Sequence, residues 1–174
     1  MEGAELDRIF LDYSIKKLRQ LAARIGDCLG RLSDEQVWMR TGENGNAIGN
    51  LALHLAGNVG QWILAGVGGA PDERVRDAEF AARGDVPAAD LAARLQSVVD
   101  RATATLAGVS AARLCERVTI QGYDVTVMEC VYHVVEHFSN HTGQIVYATK
   151  MLTGGDLGYY SHLSGAARHA GKTP

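Results

Sequence analysis

The stretch that most constrains the fold runs from Thr126 to Leu152 and carries three histidines at successive i, i+4 steps, His133, His137 and His141. Its apolar residues recur at threes and fours, which predicts one long helix with a buried face. The segment Thr126-Val-Met-Glu129 has the form of a capping box and predicts the start of that helix. At about 100° per residue, His141 lies within the apolar face, His137 near its edge and His133 at the rim. The helix therefore brings imidazoles into its contact with other helices.

Three further segments have the same helical spacing and predict long helices over residues 4–32, 46–65 and 88–106. Residues 72–83 are charged and weakly patterned, which predicts a loop with a short helical piece. Between Arg117 and Val127 the apolar residues alternate on either side of Gln121-Gly122, which predicts a short hairpin. We therefore expect an all-α fold: a four-helix bundle, up-down with a crossover, with a short β-hairpin-like insertion before the last helix.

Composition narrows the class of protein. The length of 174 residues predicts a single domain over residues 1–174, with an irregular tail from about residue 154. No apolar run reaches the roughly 18 residues that a membrane span requires, and the acidic N-terminus is unlike a signal peptide, so we expect a cytoplasmic protein. The net charge of −3 without a basic stripe argues against nucleic-acid binding. The cysteines, Cys28, Cys115 and Cys130, form no CxxC pair and are expected to be buried thiols.

The second predicted helix carries a narrow polar line of Asn50, His54, Asn58 and Gln61 beside its apolar face. An ordinary surface helix places its polar residues opposite the apolar face. In this helix the polar line borders the buried seam. Taken alone, the pattern is typical of a few hydrogen-bonded core amides with one satisfied histidine.

Together, His54, His137 and His141 predict a metal site. Two imidazoles one helical turn apart can chelate a transition metal, although such pairs also occur as hydrogen-bonded surface residues. Burying three histidines in an apolar bundle is unfavourable unless each polar group finds a partner, and a divalent cation would be a partner for all three. Nitrogen ligands favour zinc or nickel, and three protein ligands leave a position open for water or substrate.

Polar side chains on the two helices are candidates to orient the imidazole rings by hydrogen bonds to the nitrogens that do not bind the metal. They are Asn50, Asn58, Gln61, His133 and Gln144. For His133 three interpretations stay open: a base beside the metal, an alternative ligand, or a residue of the rim. No spacing selects a general acid or base, so the catalytic residues are unknown at this point.

Two stretches, from Gly45 to Trp62 and from His133 to Gln144, resemble the signature stretches of DinB-like proteins, closest to a bacterial branch of unknown function. The resemblance continues to Asp156–Leu163. It implies a four-helix bundle in which one histidine of the second helix and an HxxxH pair of the last helix hold a divalent metal; the matching residues are His54, His137 and His141. Thr142 stands where many relatives carry arginine, so a role for that basic residue is in doubt. The resemblance also implies a homodimer.

The resemblance implies one fold but several activities. Some DinB-like proteins conjugate low-molecular-weight thiols such as bacillithiol or mycothiol, and others are thiol-dependent isomerases. A metal there would hold the thiol as thiolate, the reactive nucleophile. The expected function is thus transfer of a small thiol to a small-molecule substrate. The alternatives are a non-catalytic, metal-stabilised bundle acting as an interaction or stress-response module, and a metal-free histidine cluster.

Overall fold

A computed structural model describes residues 2–40 and 42–163 of the chain. In chain order the elements are α1 (Glu2–Gly30), α2 (Asp34–Val37), α3 (Ile48–Val59), a π-helix (Gly60–Val67) that continues α3, α4 (Arg76–Ala81), α5 (Ala88–Ala107), α6 (Ala111–Leu114), β1 (Arg117–Ile120), β2 (Tyr123–Thr126), α7 (Val127–Thr153) and a short 3₁₀-helix (Ser161–Leu163). The four long helices that the apolar spacing predicts are all present. Strands β1 and β2 form the predicted antiparallel hairpin.

The four long helices form a bundle with α1 and α3 at opposite corners. Helix α1 packs against α5 and α7, and α3 packs against the same two helices. Arg8 near the start of α1 donates to the carbonyl of Ala107 at the end of α5, so these helices are antiparallel. Tyr159, just beyond α7, donates to the carbonyl of Arg24 near the end of α1, so α1 and α7 run parallel.

Residues 68–87 form the predicted crossover. Gly68 at the end of the π-helix lies against Thr105 near the end of α5, which shows that α3 and α5 point the same way. Because parallel neighbours cannot be joined by a short turn, the chain must return along α3 before α5 begins. Helix α4 lies on this return path and packs against α3. The prediction of an up-down bundle with a crossover is therefore confirmed.

The second long helix differs in detail from its prediction over residues 46–65. Regular α-helix begins at Ile48, and the last two turns widen into the π-helix, where the Gly68 amide donates to the carbonyl of Ile63 at 2.9 Å. Apolar spacing over so few residues does not reveal such a widening, which is defined by the i→i+5 hydrogen bond. Helix α6 was also not expected; Ser110 caps it through the amide of Arg113.

The hairpin turns tightly and packs on the π-helix. Gln121 and Gly122 have φ of 54° and 81°, the left-handed conformation that a two-residue hairpin turn requires. The side chain of Ile120, at the end of β1, lies against Gly66, where an added Cβ would be 2.1 Å from Ile120 Cδ1. The hairpin therefore packs against the π-helix at Gly66, where the absence of a side chain makes space for Ile120.

Beyond α7 the described part of the tail folds back on the bundle, as Leu157 is buried and Tyr159 donates to Asp27 Oδ2 at 2.8 Å. The rest of the predicted irregular tail, residues 164–174, lies outside the described residues. Cys28 and Cys130 are buried as expected, but Cys115 is exposed because it follows the short surface helix α6. Among the described residues, no helix is both long and apolar enough to cross a membrane.

Replacing Gly66 by alanine is expected to destabilise the fold by about 1–3 kcal/mol, because the new methyl group overlaps Ile120. Gly60→Ala is the matched control in the same π-helix, since its Cβ would lie 3.9 Å from Val98. The free energy of unfolding, measured in urea, checks this prediction. Equal stability of the two variants would contradict the packing of the hairpin on Gly66.

Candidate metal centre

Three imidazoles converge in the middle of the bundle, His54 from α3 and His137 and His141 from α7. His137 Nε2 lies 3.0 Å from His54 Nε2 and 3.2 Å from His141 Nε2, and one ligand atom from each ring lies within 4.8 Å of the others. In a tetrahedral zinc site with bonds of about 2.0–2.1 Å, neighbouring nitrogens are about 3.3–3.4 Å apart. The two separations that involve His137 Nε2 are therefore close to those that one ion would impose.

The outer nitrogens of two rings face acceptors, which determines where their inner lone pairs point. His54 Nδ1 is 2.9 Å from Glu79 Oε2, and His141 Nδ1 is 2.7 Å from Gln144 Oε1. Carboxylate and amide oxygens only accept hydrogen bonds, so each Nδ1 carries the proton. A neutral ring protonated at Nδ1 has its lone pair at Nε2, which is the atom that points into the cluster. The hydrogen bonds thus prepare two of the rings to bind a metal.

His137 lacks such an outer partner. Its Nδ1 is buried without a hydrogen bond to any described residue. When this ring is neutral, its proton lies either on that Nδ1 or on Nε2, between the two other Nε2 atoms. The second arrangement is the metal-free cluster that the sequence leaves open as an alternative.

Glu79 is the buried carboxylate that holds His54, and Arg74 holds Glu79. The guanidinium approaches both carboxylate oxygens, with Nε 2.8 Å from Oε1 and Nη2 2.9 Å from Oε2. Burial by itself raises the pKa of the Glu79 carboxyl, but the hydrogen bonds from Arg74 and His54 outweigh burial and hold the pKa below its usual range. Arg74 Nη2 also lies 3.0 Å from His54 Nδ1. Since both groups are donors, Glu79 Oε2 is the acceptor that they share.

The surroundings of the three histidines on α7 hold their pKa values below the usual range, which keeps these rings neutral at pH 7. Burial lowers the pKa of His137 to about 3, and the neighbouring rings His141, His54 and His133 add to the shift. Burial also lowers the pKa of His141 and of His133. Neutral imidazoles at pH 7 keep the lone pair that a metal ligand needs.

The remaining polar candidates of α3 have other partners. Asn50 donates to the carbonyls of Glu79 and Ala82 at 2.8 and 3.1 Å and so holds the crossover connection rather than an imidazole. Gln61 accepts a hydrogen bond from Arg74 at 3.0 Å. It therefore contacts the residue that holds Glu79 and not the His54 ring itself. The side-chain oxygen of Asn58 is buried without a hydrogen-bond partner among the described residues.

On α7 the other two candidates lie beside the cluster. Gln144 faces His141, as described above. The His133 ring is stacked on His137 with centroids 5.6 Å apart and touches Trp62 of the π-helix at 4.2 Å. His133 thus lies beside the cluster, between His137 and Trp62. Thr142 is buried and donates to the carbonyl of Phe138.

Glu79 and Arg74 are the site residues that the sequence did not reveal. Both lie in the charged stretch of residues 72–83, where nothing in the spacing distinguishes a buried carboxylate from a solvated one. The sequence does carry one indication of this contact on α3. Gly57, one turn after His54, is a glycine inside a helix. An added Cβ at Gly57 would lie 1.9 Å from Glu79 Oε1. Only glycine leaves room there for the carboxylate.

Fold and site together define a class of protein: a helical bundle of the DinB-like type with a three-histidine cluster. A conserved protein of Enterococcus faecalis has a similar structure, with a TM-score of 0.70 and 16% identity, covering 83% of this chain and 97% of that one. A DinB-like protein of Bacillus cereus (TM-score 0.64, 17% identity, 80% and 91% covered) and one of Bacillus subtilis (0.66, 12%, 85% and 97%) are also similar.

The particular family follows from the sequence. Residues 5–165 match the family of proteins of unknown function DUF1572, and the chain belongs to that family. The resemblance to a DinB-like branch of unknown function is therefore confirmed. No curated protein matches the chain. At identities below 20% the similar structures show the fold alone.

Gly57→Ala is expected to weaken zinc or nickel binding by about 10–100-fold, because the methyl group displaces Glu79 and releases the proton acceptor of His54. Gly60→Ala, on the next turn, is the control and should bind as the wild type does. Competition with a chromogenic chelator measures the affinity, and circular dichroism checks that both variants are folded. Unchanged affinity in a folded Gly57→Ala protein would show that Glu79 does not support the centre.

Proposed function

We propose that the protein binds one divalent transition metal through His54, His137 and His141. The observation that carries this proposal is the convergence of three Nε2 atoms, two of them on rings whose Nδ1 protons are directed outward to Glu79 and Gln144. Without a metal, a single proton on His137 Nε2 would have to serve two Nε2 acceptors, whereas a metal ion accepts all three lone pairs. Nitrogen ligands support zinc or nickel over calcium or magnesium.

The donor set supports an open site rather than a closed structural one. Among the described residues, the group of side chains that could hold a metal consists of these three histidines. Structural zinc sites use four protein ligands, whereas three leave a position for water or substrate. The metal would supply a positive charge that lowers the pKa of a thiol bound beside it.

We further propose that this site transfers a small thiol to an electrophile. The sulfur lone pair forms the new C–S bond while the bond from carbon to the leaving group breaks, the leaving group takes that electron pair, and the thiol proton passes to solvent. The buried thiol of Cys130 is a poor nucleophile for this step, because burial raises its pKa to about 11. In this proposal a low-molecular-weight thiol, of the bacillithiol or mycothiol kind, supplies the sulfur.

Elemental analysis of protein purified without a histidine tag tests metal binding. We expect about one zinc or nickel per chain in the wild type and a loss in His54→Ala, His137→Ala and His141→Ala, because each removes one of three ligands. His133→Ala is the matched control and should retain the metal, since its ring stacks on His137 without facing the cluster. A wild type that takes up neither metal when both are offered would overturn the proposal.

Transfer activity is tested on the metal-loaded protein with low-molecular-weight thiols and a chromogenic electrophile such as a chlorodinitrobenzene. We expect the wild type to accelerate formation of the thioether and His54→Ala to show only the uncatalysed rate. Acceleration that is equal in both proteins would show that the histidine centre does not carry out transfer.

A second function remains open, that of a non-catalytic, metal-stabilised bundle serving as an interaction or stress-response module. It is supported by the position of the ligands, since a metal held by α3 and α7 would tie together two packed helices. An exposed apolar strip on α1, formed by Leu6, Ile9 and Tyr13, supports docking of a second copy and thus a homodimer. A loaded protein without transfer activity that unfolds on metal removal would favour this function.

A further inference from the structure

A cavity of about 340 Å³ lies away from the histidine cluster, and none of the three candidate metal ligands lines it. Its walls come from α3 and the π-helix, from the crossover connection and from α5. On the helix side, Ala56, Gly57 and Gly60 carry at most a methyl group, so they leave space between the helix and its two neighbours. The cavity is large enough for a small-molecule ligand.

Two charged side chains of the crossover wall already have partners within the protein. Arg74 is paired with the buried Glu79, with Nε 2.8 Å from Oε1, and its Nη1 donates to Gln61 at 3.0 Å. Asp72 accepts from Gln61 Nε2 at 2.7 Å and from the backbone amide of Arg74 at 3.1 Å. The protein itself therefore compensates these two charges, and they hold the wall in place.

Four other polar side chains of the lining are exposed and have no such partner. Within residues 2–40 and 42–163, no hydrogen bond or ion pair engages the side chains of Glu73, Arg94, Ser97 and Arg101. Positions 94, 97 and 101 are three and four residues apart, so they lie on one side of α5. Two guanidinium groups with a hydroxyl between them thus line the cavity from α5, and one carboxylate lines it from the crossover.

These unpaired groups indicate the chemistry of a ligand. A guanidinium binds a carboxylate through two parallel N–H donors, so Arg94 and Arg101 together suit a molecule with two carboxylates. Glu73 repels a further negative group and attracts an ammonium. A dicarboxylate without an ammonium would leave Glu73 unpaired, and a diamine would bring positive charge to two arginines.

We propose that this cavity binds a small zwitterion of the acidic amino-acid class, which carries two carboxylates and one ammonium. Arg94 and Arg101 hold the carboxylates, the hydroxyl of Ser97 donates to one of them, and Glu73 pairs with the ammonium. Because none of the histidines lines the cavity, the inference does not depend on a bound metal. It gives the crossover and α5 a binding role that the proposed function does not use.

Nuclear magnetic resonance titration of the isotope-labelled, full-length protein tests this site. The probes are L-glutamate, glutarate, which lacks the ammonium, and 4-aminobutyrate, which lacks one carboxylate. We expect backbone amides of the cavity lining to shift when L-glutamate is added. L-Glutamate should bind about two- to fivefold more tightly than either of the other two probes, which is the range that one exposed ion pair contributes.

Single substitutions test the role of each charge. Glu73→Gln should bind L-glutamate and glutarate equally, because it removes the carboxylate that distinguishes them, whereas the exposed Glu43→Gln should keep the preference. Arg94→Gln and Arg101→Gln should each weaken both ligands by about two- to fivefold. Arg117→Gln is their control, because it removes an exposed cation from the hairpin and not from the cavity.

Three results would overturn the proposal. Cavity amides that do not shift with L-glutamate would exclude the site, and equal affinity of the wild type for L-glutamate and glutarate would exclude the pairing of the ammonium with Glu73. Weakening by Arg117→Gln as large as that by Arg94→Gln would show attraction by surface charge in general instead of a site. The amide spectra of the variants check that each remains folded.

Discussion

The hydrogen bond between Glu79 and His54 is the interaction on which the candidate site depends. A carboxylate buried in a bundle is unfavourable unless it is paired and hydrogen-bonded, and Glu79 meets that condition through Arg74 and His54 together. Its two oxygens are engaged by the guanidinium, and one of them also receives the imidazole proton. The same arrangement that makes the buried charge tolerable therefore fixes the tautomer of His54. Packing and chemistry are coupled at this one carboxylate.

The crossover connection is what brings that carboxylate to α3. Because α3 and α5 run in the same direction, the chain must return along α3, and it does so over the polar line that includes Asn50, His54 and Gln61. Asn50 binds two carbonyls of the connection, and Gln61 binds Asp72 and Arg74. The polar line is therefore a docking face for backbone and side chains of residues 68–87. This explains why polar residues border the buried seam instead of facing water.

The two ends of the histidine cluster have different roles in this arrangement. The His54 end is rigid and enclosed, since a buried ion pair and a ring cover it. The His141 end is more accessible, and its outer partner, Gln144, is an exposed amide at the rim of a cavity.

Much of the fold could be predicted from the sequence, because it depends on local patterns. Apolar residues at threes and fours mark the long helices, and Gln121-Gly122 marks the hairpin turn. The spacing of His137 and His141 places both on one side of α7, since residues four apart lie one turn apart in any α-helix. The polar line of α3 was visible too, although its purpose was not. These features depend on neighbours in the chain, so the sequence alone determined them.

The tertiary structure decided what depends on residues far apart in the chain. It brought His54 against His137 and placed Glu79, an ordinary acid in a charged stretch, behind His54. It also decided that Asn50 holds the crossover while Gln144 holds a ring. None of this follows from periodicity, which specifies the face on which a residue lies but not what the chain brings to that face. Gly57 illustrates the division, because its presence in a helix is evident from the sequence, but its reason lies in a carboxylate 22 residues further on.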